Sequence, residues 1–211
     1  MHVEPLVETY ADLARRILAR PPRLGRTRLV AVDGPSGAGK TSFAARLAVA
    51  LAAATPPVPD SSVPVVRTDD LLDGWADQFT FWPRLDEWVL APLRAGQPGR
   101  YRRYDWGRGR FTPHWIPVPP APVLILEGVS SARRMIRPEL TMAVFVTAPA
   151  ALRQARALAR DGSALLPYLE EWWRREEVHF AADATRKQAE LVVNGAPAEL
   201  SDPTGSYIRL R

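Results

Sequence analysis

The chain has 211 residues, of which 46% are hydrophobic and 24% charged, and its formal net charge is +5. This length suits one α/β domain with a substantial core and a small lid. We expect no membrane segment, because no apolar run approaches the roughly 20 residues that span a bilayer. We expect no signal peptide either, because the first residues lack a basic stretch followed by an apolar one. The absence of cysteine excludes disulfides and thiolate metal sites and favours a cytoplasmic location.

The arginines are spread along the chain and do not form a long basic run with interleaved aromatic residues. A nucleic-acid partner is therefore not expected, since such proteins cluster their basic residues. A polyphosphate ligand would account for part of the positive charge equally well.

The predicted elements alternate between helices and strands. Hydrophobic spacing predicts an amphipathic helix over residues 5–19, beginning with Leu6. Apolar runs predict strands at 28–32, 65–68, 123–126, 142–146 and 191–193, with an edge strand at 207–210. Helices are predicted over 42–54, 149–160 and 165–189. This alternation predicts an α/β fold with a doubly wound parallel sheet and helices on both faces, in a single domain over 1–211.

Residues 74–120 are rich in Trp, Arg, Gly and Pro and show little periodicity. We predict a loop-dominated insertion here, with one helix near residues 85–93. Long irregular segments in compact domains tend to be functional.

Gly34-Pro35-Ser36-Gly37-Ala38-Gly39-Lys40-Thr41 has the pattern G-x-x-x-x-G-K-T between a predicted strand and a predicted helix. Lys40 is one of two lysines in an arginine-rich chain, and the planar guanidinium of arginine cannot replace its compact ammonium. In a phosphate-binding loop the backbone N–H groups wrap the phosphates, the lysine reaches the β and γ oxygens, and the threonine hydroxyl holds Mg²⁺. The predicted triphosphate-binding residues are Gly34, Pro35, Ser36, Gly37, Ala38, Gly39, Lys40, Thr41 and Ser42.

Acidic residues end three predicted strands: Asp33, the pair Asp69-Asp70, and Glu127. Ligands of open α/β sheets bind beyond the carboxyl ends of the strands, so we expect these acids to converge beside the phosphate loop. Phosphoryl transfer requires one carboxylate to accept a proton from the attacking hydroxyl and another to orient Mg²⁺.

Arg153, Arg156 and Arg160 have helical spacing and share one face. Such a face could close over a triphosphate and stabilise transition-state charge, or it could simply be solvated. The aromatic residues of the 74–120 segment leave a similar choice, between stacking a nucleobase and forming a small local core.

With these motifs the chain resembles the uridine kinase family, within the group that includes phosphoribulokinase and bacterial pantothenate kinase. The resemblance runs from about residue 28 to 194 and implies the P-loop NTPase-type fold. It rests on the phosphate loop, on Thr68-Asp69-Asp70-Leu71, on Tyr104-Asp105-Trp106, on Leu126-Glu127-Gly128-Val129 and on Thr185-Arg186-Lys187-Gln188-Ala189-Glu190.

The resemblance implies a role for each matching residue. Asp69 would be the base for the acceptor hydroxyl, and Glu127 would serve magnesium together with Thr41. Arg156 and Arg160 would be lid arginines within a lid at 153–166. Arg186 and Lys187 would lie near the adenine. The segment 74–120 would face the acceptor, with the predicted substrate-binding residues Tyr104, Asp105, Phe81, Trp82 and Arg108.

The acceptor half departs from the family pattern. Phe81-Trp82-Pro83 stands where nucleoside kinases carry an aspartate for the ribose, and Gly107-Arg108-Gly109-Arg110 stands where a histidine is expected. The lid loop after Asp161 is short and lacks further arginines.

The sequence therefore predicts an ATP- and Mg²⁺-dependent small-molecule kinase acting on a uridine- or cytidine-like acceptor. One alternative is a kinase for another hydroxylated metabolite or a nucleoside monophosphate, with Arg108 or Arg110 binding an anionic acceptor. Another is a degenerate, ATP-binding regulatory protein. Whether the protein forms a homo-oligomer stays open.

Overall fold

The computed structural model describes residues 6–55, 63–197, 202 and 204–211. Its strands are β1 (Leu6–Thr9), β2 (Arg28–Asp33), β3 (Val65–Arg67), β4 (Gly99–Asp105), β5 (Arg110–Val118), β6 (Val123–Glu127), β7 (Leu140–Thr147), β8 (Leu191–Asn194) and β9 (Ser206–Arg209). Its helices are α1 (Tyr10–Leu18), α2 (Lys40–Ala54), α3 (Trp82–Leu85), α4 (Ala91–Arg94), α5 (Ala150–Asp161), α6 (Leu166–Asp183) and α7 (Thr185–Gln188).

Seven strands form one sheet in the order β1-β9-β8-β7-β2-β6-β3. The five strands from β8 to β3 in this order are parallel, whereas β9 runs antiparallel to both β8 and β1. Strand β2, which leads into the phosphate loop, is the central one of these parallel strands and lies between β6 and β7. The predicted doubly wound α/β fold is confirmed.

Two apolar cores cover the two faces of the sheet, as the continuous apolar runs of the parallel strands require. Leu29 and Ala31 of β2 point into a core shared with α3, α4 and α6. Val30 and Val32 point into the opposite core, which is shared with α1 and α2. Helices on both faces follow from this alternation.

The N-terminal prediction is partly wrong. Residues 6–9 form strand β1, and the helix begins at Tyr10. The side chain of Thr9 accepts a hydrogen bond from the Asp12 N–H at 3.0 Å and so caps the helix. The helix therefore starts five residues later than residue 5, where the hydrophobic spacing places it.

The predicted helix over 165–189 is interrupted. It consists of α6 and α7, separated by Ala184, whose φ of 53° is left-handed. An L-residue in this conformation ends an α-helix, and alanine gives no signal for it in the sequence.

The segment 74–120 is more regular than predicted. The helix near 85–93 is confirmed, as α3 continues through a π-helical turn (Asp86–Leu90) into α4. The rest is not loop-dominated, because β4 and β5 form an antiparallel hairpin with a register shift between Arg102 and Tyr104.

Within the described residues, no helix has the length and apolar character required to cross a membrane.

Candidate active site

The phosphate loop joins the end of β2 to the start of α2. Gly37 and Gly39 have φ values of 75° and 99°, a region that L side chains rarely adopt. A Cβ on Gly37 would lie 2.3 Å from the backbone oxygen of Arg153, so α5 packs directly on the loop. Gly39 is the N-cap of α2, which places the first N–H groups of this helix at the loop. Helix N-termini of this kind are ready anion sites.

Lys40 is buried, and its Nζ donates a hydrogen bond to the Pro35 carbonyl at 3.1 Å. The ammonium therefore curls back over the loop. Its charge lowers the pKa of three buried carboxyls, those of Asp33, Glu127 and Glu176, against the larger raising effect of burial.

A cavity of about 510 Å³ opens above this loop. The loop contributes Ser36, Gly37 and residues 39–42 to the lining of this cavity. Asp69, Glu127, Arg156 and Arg160 also line it. The structure thus brings together residues from the loop after β2, from α2, from the turn after β3, from β6 and from α5.

Glu127 and Thr41 form the candidate magnesium position. Thr41 Oγ1 donates to Glu127 Oε1 at 3.3 Å, and Arg67 Nε lies 3.9 Å from Glu127 Oε2. Burial raises the pKa of Glu127, the Lys40 charge lowers it, and the nearby Asp69 raises it again. A hydroxyl and a carboxylate are oxygen ligands that suit Mg²⁺. Within the described residues no group of three or more His, Asp or Glu is placed to hold a metal.

The two neighbouring aspartates at the end of β3 face different ways. Asp69 lies at the cavity. Asp70 turns to the hairpin, where Arg103 Nε lies at 3.1 Å and the Tyr101 hydroxyl donates at 3.5 Å. Burial raises the pKa of Asp70, which the Arg103 charge opposes. Asp69 is therefore the acid placed to meet a ligand.

The expectation that Asp33 joins these acids is wrong. Its carboxylate is fully buried and accepts backbone N–H groups from Gly34 at 2.7 Å, Ser130 at 3.0 Å and Ala132 at 2.8 Å. Burial raises its pKa to about 7. Asp33 holds the loop after β6 against the start of the phosphate loop and does not face the cavity.

The three arginines of α5 divide between two tasks. Arg156 Nη1 donates to the Gly37 carbonyl at 3.1 Å and to the Gly195 carbonyl at 3.2 Å, and it lines the cavity. Arg160 also lines the cavity; its pKa is raised mainly by the hydrogen-bonded Asp161 and further by the Asp69 and Glu127 charges. Arg153 instead donates to the carbonyls of Ala148 and Ser36.

Sequence reasoning missed one wall of the cavity. Tyr10, Phe43 and Tyr207 form an aromatic trio with ring centroids 5.1 to 5.5 Å apart, and all three line the cavity. Arg46, Asn194, Gly195, Pro197 and Ser206 complete this side. The wall joins the N-terminal helix to the last strand, which the spacing within each segment could not reveal.

Arg186 and Lys187 lie away from the cavity, contrary to the role that the resemblance implies. They belong to α7, which directly precedes β8. The phosphate loop follows the carboxyl end of β2, whereas α7 precedes the amino end of β8. Because β2 and β8 are both parallel to β7, the loop and α7 lie at opposite ends of the strands. Their carbonyls accept hydrogen bonds from Arg211.

The predicted acceptor residues also lie outside the described lining of the cavity. Phe81 and Trp82 are core residues, and Trp82 Nε1 donates to Ser130 Oγ at 3.2 Å. Tyr104 is buried against Trp106 and Phe111, with ring centroids at 5.2 and 5.3 Å.

Asp105 and Arg108 form the hairpin turn. The Arg108 N–H donates to Asp105 Oδ1 at 3.0 Å. These two residues line a separate surface pocket with Arg110. Among the aromatic residues of this segment, Phe81, Trp82 and Tyr104 are buried, as the core alternative predicts, whereas Trp106 is 41% exposed.

The fold has clear relatives among solved structures. A "Possible Uridine Kinase" from Bacillus stearothermophilus superposes with a TM-score of 0.63 at 20% identity, covering 87% of this chain and 96% of that one. A "putative fructose transport system kinase" from Silicibacter sp. TM1040 gives a TM-score of 0.62 at 22% identity, covering 82% and 95%. The chain shares the fold of these two structures. The predicted resemblance to the uridine kinase family is thereby confirmed as a likeness of fold.

Sequence comparison gives two curated relatives that match only part of the chain. Two curated proteins of Arabidopsis thaliana, "Inorganic pyrophosphatase TTM2" and "Inorganic pyrophosphatase TTM1", are 30% identical over 145 residues and 28% identical over 141 residues. Each match covers 63% of this chain, and the chain spans about a fifth (20%) of the length of these relatives. No family model matches the chain.

Proposed function

We propose that the protein is an ATP- and Mg²⁺-dependent kinase that transfers the γ-phosphoryl group to a hydroxyl of a small, nucleoside-like acceptor. One observation carries the proposal: a single cavity contains the phosphate loop with Lys40, the acid Asp69, the pair Thr41 and Glu127, and the lid arginines. The fold shared with the two solved structures supports the reaction class.

Each residue has a task in this reaction. Lys40 and the loop N–H groups bind the β and γ phosphates, and Asp69 accepts the proton as the acceptor hydroxyl attacks the γ-phosphorus. Arg160 stabilises charge on the transferring group, because a preorganised cation at the developing charge lowers the barrier. Thr41 and Glu127 would hold Mg²⁺, which when bound neutralises phosphate charge.

The donor would lie with its base toward the aromatic wall. Arg156 donates to the carbonyls of Gly37 in the loop and Gly195 after β8, and it lines the same cavity as the trio of Tyr10, Phe43 and Tyr207. A cavity that combines loop, arginine and aromatic rings suits the phosphates and base of a nucleotide.

A panel of acceptors tests the proposal. ADP release from ATP is measured with nucleosides, nucleoside monophosphates and sugars in turn. Acceptor-dependent ADP with uridine or cytidine supports the proposal, and a response confined to anionic acceptors supports the monophosphate alternative. ATP binding without acceptor-dependent turnover across the panel supports the regulatory alternative.

The variant Asp69→Asn tests the assignment of the base. Loss of a general base is expected to lower kcat by about 10² to 10⁴-fold, while the Kd for ATP changes little because Asp69 lies beyond the loop. Asp70→Asn is the matched control, since Asp70 pairs with Arg103 and faces the hairpin. If Asp70→Asn abolishes turnover and Asp69→Asn does not, Asp69 is not the base.

A further inference from the structure

Glu176 is a buried carboxylate for which the proposed reaction has no use. It is 1% exposed and lies on α6. Its oxygens accept the Ser36 N–H at 3.0 and 3.1 Å, the Ser36 hydroxyl, and the Trp172 indole N–H at 2.8 Å. An ionised group is kept in such a place only when it is paired or well hydrogen-bonded. Here three donors converge on it.

The Glu176 carboxylate contacts the phosphate loop from the side of α6. Ser36 lines the cavity, and Glu176 is not among the described residues that do so. Glu176 thus acts on the site through Ser36 and not as part of the cavity wall. Its hydrogen bonds to the loop are made with Ser36, which is followed by Gly37 and lies four residues before Lys40 along the chain.

The Ser36 peptide is held from two sides. Its N–H donates to Glu176 of α6, and its C=O accepts from Arg153 Nη1 of α5 at 3.4 Å. The Ser36 hydroxyl donates to Glu176 and accepts from Trp172 Nε1 at 3.0 Å. The turn between these two helices, residues 162–165, lies within the lid predicted at 153–166.

Helix α6 also contacts the segment that follows Asp69 and Asp70. Arg175 donates to the carbonyls of Trp75 and Ala76 at 3.3 and 3.2 Å, and the Trp172 ring packs edge-on against Trp75 at 5.6 Å. One face of α6 thus joins the phosphate loop to the acceptor half of the protein.

We propose that Glu176 is a positioning residue for the phosphate loop, holding Ser36 so that the loop N–H groups and Lys40 keep the geometry that binds a triphosphate. The inference rests on the proposed function only as far as triphosphate binding. Because the loop contacts the phosphates in the ground state and the transition state alike, losing Glu176 should raise the KM for ATP more than it lowers kcat.

The experiment measures binding of ATP and of inorganic tripolyphosphate, each with Mg²⁺, by titration calorimetry. Glu176→Ala is expected to raise both Kd values by about 10-fold or more, as loss of a residue that orients a binding group does. Glu176→Gln is expected to give an intermediate loss of about threefold or more, since its single oxygen faces three donors. Glu177→Ala, on the exposed neighbour, is the matched control and should stay within about twofold of wild type.

The outcomes separate the two proposals. A purely structural role would lower the melting temperature of Glu176→Ala and leave the Kd of the folded protein unchanged, which overturns the inference. If Glu176→Ala does not fold, Glu176→Gln decides, and a wild-type Kd in that variant overturns it.

A wild-type protein that binds neither ligand overturns both proposals. Wild-type binding with the expected losses, but with no acceptor phosphorylated, supports the role of Glu176 and rejects the kinase.

Discussion

Gly195 offers a sharp test of how the donor side is built. It follows β8, and a Cβ at this position would lie 1.7 Å from the Ala38 oxygen and 2.8 Å from Val146 Cγ1. Ordinary contact begins at about 3.4 Å, so in Gly195→Ala the phosphate loop and the turn after β8 must separate by on the order of 1.5 Å. The neighbouring Arg156, which donates to the carbonyls of both Gly37 and Gly195, would lose one of these bonds.

The expected cost differs between stability and binding. Overpacking of this kind lowers the free energy of unfolding by about 1–3 kcal/mol. A misplacement of about 1 Å at a reacting group costs about 100-fold in rate, so kcat/KM for ATP is expected to fall by at least that factor. The Kd for ATP should rise as well, because the loop N–H groups leave hydrogen-bond range of the phosphates.

Urea unfolding and titration calorimetry with ATP measure the two effects separately. Gly107→Ala is the matched control, since the closest atom to its Cβ would be Asp105 Oδ1 at 3.4 Å, which is ordinary contact. A Gly195→Ala protein that binds ATP like wild type would refute the reasoning. It would mean that the turn after β8 does not support the phosphate loop.

Two further predictions concern buried acids. Glu127→Gln should raise the Mg²⁺ concentration for half-maximal turnover by about 10-fold or more, because the amide is a poorer partner for the cation; an unchanged Mg²⁺ titration would contradict the placement of Glu127. Asp33 has a pKa raised by burial from 3.8 to about 7, so the folded state binds a proton that the unfolded state releases. Its contribution to stability is therefore present below about pH 4 and is lost as pH rises to 7, by up to about 1.4 kcal/mol per pH unit. Urea unfolding across this range should show that decline in wild type and a flatter profile in Asp33→Asn, and equal slopes would contradict it.

The phosphate loop could be predicted from the sequence because its chemistry constrains the backbone itself. Glycines at left-handed positions and a lysine at the start of α2 leave few alternatives once a buried strand precedes them. The parallel strands could be predicted equally well. Strands buried on both faces, such as Val123–Glu127, appear in the sequence as continuous apolar runs. The placement of Asp69 and Glu127 beside the loop followed from the same rule of strand ends.

The same rule failed where tertiary contacts intervene. Asp33 ends a strand but is captured by the N–H groups of residues 130 and 132, nearly a hundred positions away. The hairpin was missed because Pro113 and Pro117 and a register shift disturb the alternation of its strands.

The aromatic wall could not be predicted for a different reason. Tyr10 and Tyr207 are close only because β9 lies between β1 and β8 in the sheet. An edge strand was expected near Tyr207, but nothing in its local pattern indicates which strands it pairs with.

The scarcity of lysine gives this protein a built-in pair of chemical labels. Lys40 lines the cavity and is 8% exposed, and Lys187 is exposed at the opposite end of the parallel strands. An amine-reactive reagent therefore meets one side chain that a ligand would shield and one that it would not. The ratio of the two modified peptides reports occupancy of the loop within a single sample, with no engineered probe.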